Sequence, residues 1–225
     1  LWTFSGAWPA IMWKHAHVTV HHAHVLEDCD WTVPHRRADG KFESHWIYCL
    51  FHWPYRYYWH FLQDLRTGRG GDRFRREFPK ELTIHLALWS IPFWIDPVMA
   101  IWLWVVPQVW ANITMGSGMY VQHVGCVVPT ADHPYRHSND CLSKFFNLTH
   151  FNIGYHIEHH SFAHIHWCDL PALHEALQAH LKADDACEVN MGYFHAGDLI
   201  GRAGVDWSKN FQDRRETEPA LATPE

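Results

Sequence analysis

The chain has 225 residues, of which 48% are apolar, and this fits either one ordinary domain or a small membrane protein. Its formal net charge of −6 and pI near 6.4 exclude the strongly basic surface typical of nucleic-acid-binding proteins. The 22 His outnumber the 18 Lys and Arg, and neutral imidazole is the commonest metal ligand among side chains. Composition therefore makes metal binding the first hypothesis.

The first segment in chain order, residues 1–12, is apolar and aromatic and resembles the end of a membrane helix. The chain opens on Leu1 rather than Met, with no basic segment or cleavage site of a signal peptide. We therefore expect the sequence to begin inside a longer protein.

A first group of histidines follows as His17, His21 and His22, in the pattern His-x-x-x-His-His. On an α-helix these positions would span about 140°. The nearby His15 and His24 are alternatives to His17, and the sequence leaves that choice open.

The segment Trp46–Leu62 is aromatic but carries His52, Arg56 and His60, which would be costly at the centre of a bilayer. We predict an amphipathic helix at the membrane interface. A basic loop, of the kind that stays in the cytoplasm, is predicted next from Arg66, Arg69, Arg73, Arg75, Arg76 and Lys80.

Residues 81–135 contain no Lys or Arg, which is a membrane signal. Because one span needs roughly 20 apolar residues, this stretch predicts two arms, Leu82–Ile95 and Val98–Tyr120, that turn at Asp96-Pro97. Such a hairpin returns the chain to the side it came from. If the basic loop is cytoplasmic, the His groups and the C-terminus are cytoplasmic too.

The most informative feature is His156, His159 and His160, which close the run Asn-x-Gly-Tyr-His-x-x-His-His at Asn152–His160. Three imidazoles at i, i+3 and i+4 fall on one face of a helix, within reach of a shared metal. We expect Glu158 to lie beside the ligands or in solvent rather than to bind metal. Asp169 is expected to cap the helix that begins near Leu170. The remaining histidines outside these groups, including His137 and His174, are expected at the interface or in solvent.

These motifs resemble the membrane fatty acid desaturase and hydroxylase superfamily, over residues 13–171. The resemblance rests on the Asn152–His160 box with Ile165, Trp167 and Leu170-Pro171 after it, on Trp13-Lys14 before His17–His22, and on Gln122-His123.

The resemblance implies an all-α integral membrane fold with a cytoplasmic helical cap that carries the His boxes. It also implies two non-haem irons, for which this chain would supply His17, His21, His22, His123, His156, His159 and His160. The family's first His box should precede His17, and because no such segment is found there we expect a truncated sequence that lacks part of its centre.

The residues themselves leave the metal open, because imidazole suits iron, zinc, copper and nickel alike. A structural zinc site commonly includes Cys, and the six Cys have no Cys-x-x-Cys spacing. Soluble di-iron bundles use several Glu ligands, whereas the third His box, Asn152–His160, contains only Glu158. An all-His iron pair is the remaining good fit.

The resemblance implies a lipid or fatty acyl desaturase that uses dioxygen and two external electrons to introduce a C=C bond. A hydroxylase on the same scaffold is the nearest alternative, and a non-catalytic, His-rich metal-binding membrane protein is an alternative of another class. We expect a separate electron donor of the ferredoxin or cytochrome b5 type, since the His-Pro-Gly-Gly signature of cytochrome b5 is absent. No nucleic-acid partner is expected.

The sequence predicts one membrane domain over residues 1–183, with its hairpin at about 82–120. The polar and acidic residues 184–225 are predicted to form a disordered tail.

Overall fold

The computed structural model describes residues 8–34, 42–189 and 192, and these are mostly helical, which confirms the predicted helical class. The chain divides into two compact units. Unit 1 comprises Leu1–Thr32 with Ile47–Gly116, and unit 2 comprises Val33–Trp46 with Ser117–Glu225. Each unit therefore contains one of the two His groups.

The elements are numbered in chain order, with π marking helical segments of the i→i+5 type. They are α1 (Ala10–Lys14), π1 (His15–His22), α2 (His45–Ile47), π2 (Tyr48–His52), α3 (Trp53–Thr67), α4 (Gly71–Ile95), α5 (Pro97–Ala100), π3 (Ile101–Val105), α6 (Val106–His123), β1 (Asn139–Cys141), α7 (Lys144–Thr149), α8 (His156–Ser161), α9 (Leu170–Ala183) and β2 (Cys187–Val189).

Unit 1 is organised around an aromatic stripe on α3. Trp53, Tyr57 and Phe61 recur every four residues, so they share one face of the helix, and all three are buried. The ring of Trp8 packs on Tyr57 with centroids 4.6 Å apart, and the ring of Phe74 on α4 packs edge-on against Phe61 at 5.2 Å. These contacts join the start of the chain, α3 and α4 into one core.

The helix predicted over Trp46–Leu62 is confirmed, since α2, π2 and α3 follow one another without a break. It is amphipathic: opposite the buried stripe, Tyr55 is 63% and Trp59 is 49% exposed. Its place at a membrane interface stays a prediction.

The predicted turn at Asp96-Pro97 is also confirmed. The Asp96 carboxylate accepts hydrogen bonds from the N–H groups of Val98 and Met99, each at 3.0 Å, and so caps the next helix. That helix continues through α5, π3 and α6 as Pro97–His123. Among the described residues it is the one helix long and apolar enough to cross a membrane.

The arm before the turn differs from the prediction. The predicted basic loop was wrong, because α4 begins at Gly71 and takes up most of these residues, leaving a short turn after α3. The charged residues occupy the first half of α4, so its apolar part is only Leu82–Ile95. Fourteen helical residues reach roughly 21 Å at 1.5 Å each, less than the roughly 30 Å of a bilayer core, so this arm, which was predicted to be short, would cross only together with flanking residues of α4.

The start of the chain also differs. Residues 1–7 lie outside the described residues, and Ala10 begins a helix after Pro9 rather than ending one. Residues 10–12 therefore belong to the helix that leads into the first His group, and the prediction of a membrane-helix end does not hold for them.

Unit 2 contains a small parallel sheet that was not predicted. Strand β1 pairs with β2, with Asn139 opposite Cys187 and Cys141 opposite Val189. Helices α8 and α9 pack beside it and bury Ile157 and Leu170. Because β2 lies beyond residue 183, the packed part of the chain extends at least to Val189. The rest of the predicted tail, apart from residue 192, lies outside the described residues.

Candidate metal centre

The His17, His21 and His22 group lies on a π-helical segment and not on an α-helix. In π1 the backbone hydrogen bonds join residues five apart, so such residues come close to one face. The Nε2 atoms of His17 and His22 lie 3.1 Å apart, and the rings of His17 and His21 are 5.7 Å apart. The three side chains are therefore not spread over the wide angle expected for an α-helix.

His21 is fully buried, and its ring is oriented by a carboxylate from the loop after π1. Its Nδ1 lies 2.9 Å from Asp30 Oδ2 and 3.0 Å from the hydroxyl of Thr32. The Thr32 backbone N–H donates to the other oxygen of Asp30 at 3.1 Å. An ionised carboxylate only accepts, so Nδ1 donates its proton and Nε2 carries the lone pair with which this ring would bind a metal.

The contacts of His15, His17 and His24 indicate which of them groups with His21 and His22. His15 Nε2 bonds the Asp64 carboxylate at 2.9 Å, and its ring stacks on Phe74 at 4.4 Å. His24 Nδ1 bonds Glu27 at 2.9 Å. His15 Nε2 therefore contacts a carboxylate of the unit 1 core, whereas His17 Nε2 faces His22. These contacts favour His17 over His15 as the partner of His21 and His22.

In unit 2, the structure brings together His123 at the end of α6 with His156 and His160 on α8. His156 Nε2 lies 3.1 Å from His123 Nε2 and 3.1 Å from His160 Nε2. His123 Nδ1 donates to the carbonyl oxygen of His137 at 3.1 Å. His159 lies beside this group on α8, with its ring 5.7 Å from that of His160.

The chemistry of this donor set fits a metal cation. Since His123 holds its proton on Nδ1, its Nε2 presents a lone pair to His156, and imidazole lone pairs at this distance repel unless a cation or a proton lies between them. A ligand His whose other nitrogen donates to a carbonyl or a carboxylate is the usual arrangement in metal sites. All-imidazole donors suit several transition metals, so the geometry does not by itself select iron.

The residues before His156 explain why the box begins with Asn-x-Gly. A Cβ on Gly154 would clash with the Cys141 carbonyl oxygen and lie 2.6 Å from Asn147 Oδ1. Instead the Gly154 N–H donates to Asn147 Oδ1 at 2.9 Å, and its carbonyl accepts from the Cys141 N–H at 2.8 Å. Asn152, with φ +56°, donates its amide to the Trp167 carbonyl at 3.1 Å. The loop that enters α8 is therefore fixed against β1.

Several buried polar residues near the His groups were missed or misplaced by the sequence reasoning. His137 and His174 were expected at an interface or in solvent and are buried; Glu158 is buried too, which agrees with a place beside the His groups and not with one in solvent. Their partners lie on other elements, as with His174 Nδ1, which bonds Glu158 at 2.8 Å. Asp169 does stand at the N-terminal end of α9, but its side chain makes no capping hydrogen bond.

The fold and the two His groups define a class: a helical protein with clustered imidazoles suited to a metal and one helix suited to a bilayer. A comparison with known protein families matches residues 1–187 to the fatty acid desaturases. The chain therefore belongs to the fatty acid desaturase family, as the His boxes predicted. Membership implies an oxidoreductase that acts on a lipid. No curated protein and no solved structure matches the chain.

Proposed function

We propose that this protein is a lipid or fatty acyl desaturase whose His groups hold two non-haem irons. The observation that carries the proposal is the convergence of the Nε2 atoms of His123, His156 and His160 in unit 2. The family match supports the reaction class. The proposed ligands are His17, His21, His22, His123, His156, His159 and His160.

The chain's own residues bind and orient the metal. Asp30 holds the buried His21 ring, and the His137 carbonyl holds the His123 ring, so each presents Nε2. When bound, the irons would supply the reduction of dioxygen and the removal of hydrogen from an unactivated methylene. In sum, a CH₂–CH₂ unit, O₂, two electrons and two protons give CH=CH and two waters. A separate ferredoxin or cytochrome b5 would supply the electrons.

We place the protein in a membrane with its His groups on the cytoplasmic side. The helix Pro97–His123 supports this, because only 6% of its most apolar window is buried within the protein. Trp94 and Trp102, near the Asp96 turn, are 85% and 64% exposed and are suited to a lipid environment. The basic first half of α4, followed by a stretch without Lys or Arg, supports the orientation.

The test is expression of the complete reading frame in a desaturase-deficient host, with analysis of lipid products and iron. We expect a new alkene and about two irons per chain. His160→Gln should abolish the product, because it removes one of the converging nitrogens. His164→Gln is the matched control, since His164 lies four residues further on and is exposed.

The other outcomes separate the alternatives. An alcohol in place of the alkene would identify a hydroxylase on the same scaffold. Bound metal with neither product would favour a non-catalytic metal-binding protein. Fewer than two irons with no new product would contradict the proposed function.

A further inference from the structure

Behind the third His box, unit 2 holds a cluster of three buried ionisable side chains that the proposed ligand set does not use. The cluster comprises Asp140 at β1, Glu158 on α8 and His174 on α9. All three are buried, and their donor atoms lie within 4.8 Å of one another. They join α8 to β1 and to α9.

The contacts attach α8 at two points. Asp140 Oδ1 accepts the N–H of Ile157, in the first turn of α8, at 2.8 Å. Glu158, one residue further on, accepts from His174 Nδ1 at 2.8 Å. The same nitrogen lies 3.4 Å from Asp140 Oδ2. A six-residue helix held by one backbone and one side-chain bond cannot turn about its axis, so the direction of His156 and His160 is set.

The cluster also sets one basic side chain against two acidic ones. Burial lowers the pKa of His174, but the adjacent carboxyl groups of Asp140 and Glu158 outweigh this and raise the pKa to about 10. The His174 ring therefore faces the carboxyl groups of both Asp140 and Glu158. Asp140 Oδ2 and Glu158 Oε2 are buried and make no hydrogen bond with the described residues. Burying a carboxylate oxygen without a hydrogen bond costs free energy, so the presence of two such oxygens in this cluster calls for an explanation.

A metal bound by the neighbouring histidines would explain these buried carboxylate oxygens. Neutral imidazoles contribute no charge, so a metal ion held by them keeps its full positive charge, and nearby buried carboxylates would stabilise it. Glu158 lies two residues from both His156 and His160 on α8. The Glu158 carboxylate faces His174 and not the His box. Glu158 would therefore affect a bound metal indirectly, through the orientation of α8 and through its charge, and would not be a ligand.

We propose that Glu158, with Asp140 and His174, is a positioning residue that orients the third His box and balances the charge of the metal bound there. The inference rests on the proposed function, because it needs a metal at these histidines. It assigns the glutamate inside the box a role distinct from that of a ligand.

The test compares Glu158→Gln with Glu175→Gln in the full chain in detergent. Both variants remove one negative charge, but Glu175 is exposed on α9 next to His174. Metal-free protein is titrated with Co²⁺ alone, and its visible absorption reports the ligand geometry. We expect Glu158→Gln to weaken Co²⁺ binding about 10- to 100-fold and alter the spectrum, and Glu175→Gln to do neither.

A second readout separates charge from packing. Glutamine keeps an acceptor for His174, so a purely structural role would be largely preserved in Glu158→Gln. Loss of the charge should also raise the reduction potential of the iron-loaded protein, because the more positive oxidised metal loses more stabilisation. If Glu158→Gln fails to fold, Asp140→Asn serves, since its amide oxygen can still accept from the Ile157 N–H.

The outcomes are distinct. Wild-type protein that takes up neither Co²⁺ nor iron contradicts the proposed function. Wild-type binding that is matched by a folded Glu158→Gln or Asp140→Asn variant, in affinity, spectrum and potential, contradicts only the role of the cluster.

Discussion

The two His groups are held in opposite ways. In unit 1, the segment π1 aligns His17 and His22 through its backbone, and Asp30, the partner of His21, lies only nine residues away in the sequence. In unit 2, the short helix α8 is held by residues of other elements, such as Asn147 and His174. The first group therefore depends on local chain geometry, and the second depends on tertiary packing.

The largest expected effect tests whether the His group of unit 2 depends on tertiary packing. Gly154→Ala would push a methyl group into the Cys141 carbonyl and Asn147, both of which are fixed by hydrogen bonds. We expect a loss of about 3 kcal/mol in the free energy of unfolding, measured by denaturation of metal-free protein in detergent. Metal binding at His156 and His160 should weaken as well.

The matched control is Gly192→Ala, where the nearest atom to a new Cβ is Phe146 Cδ2 at 3.4 Å, an ordinary contact. It should change the free energy of unfolding by less than about 0.5 kcal/mol. Equal effects of the two substitutions would show that the close approach of Gly154 to β1 does not matter.

The next largest effect tests whether the His group of unit 1 depends on its local partner Asp30. Asp30→Asn keeps the size of the side chain but removes the charge that orients the buried His21 ring. We expect metal affinity to fall about 10- to 100-fold, measured by Co²⁺ titration. Asp28→Asn, two residues earlier and exposed, is the control and should bind like the wild type. If Asp30→Asn binds equally well, the carboxylate does not orient the ligand.

A more gradual effect concerns pH. His174 has its pKa raised from 6.5 to about 10 in the folded chain, so its contribution to stability is complete below about pH 6.5 and is lost as pH rises towards 10. Burial raises the pKa of Asp140 from 3.8 to about 7, which also favours the folded state at lower pH. Glu158 completes the cluster, and the other titratable groups facing it are Glu188, Tyr155 and Cys141.

The free energy of unfolding of metal-free protein should therefore decline as pH rises from about 4 to about 10. His174→Gln should flatten the decline above about pH 6.5, as measured by urea denaturation at each pH. A variant curve parallel to that of the wild type would show that His174 does not carry the upper part of the decline. His180→Gln, on an exposed face of the same helix, is the control.

The smallest effect concerns the loop before α8. Asn152→Ala removes the hydrogen bond to the Trp167 carbonyl and places Ala at φ +56°. We expect a loss of about 1 kcal/mol from the bond and about 1 kcal/mol more from the backbone conformation. Asn152→Gly loses only the bond, so thermal unfolding should place it between Asn152→Ala and the wild type.

Features encoded by neighbouring residues could be predicted from the sequence. The turn at Asp96-Pro97 is one, because the Asp96 side chain caps the helix two and three residues further on. The amphipathic helix over Trp46–Leu62 is another, because its aromatic spacing is regular. The convergence of His156 and His160 follows likewise from their spacing on a helix.

Features that depend on distant residues could not. Strands β1 and β2 have three residues each, lie far apart in the sequence, and include Asn and Asp, which are rare in strands. The hydrogen bond between Glu158 and His174 joins two helices, and the burial of His137 depends on the elements that pack around it. The π1 conformation was missed because α-helical periodicity was assumed for the His17–His22 segment.

The π1 segment makes the length of the chain there more important than its composition. Val18 and Thr19 lie between the proposed ligands His17 and His21 and are exposed, so many side chains should be tolerated at either position. Deleting one of them would let the backbone return to the i→i+4 pattern and bring His21 and His22 one residue closer to His17. Insertions and deletions, rather than substitutions, are therefore the changes that would alter the helical pattern of this segment.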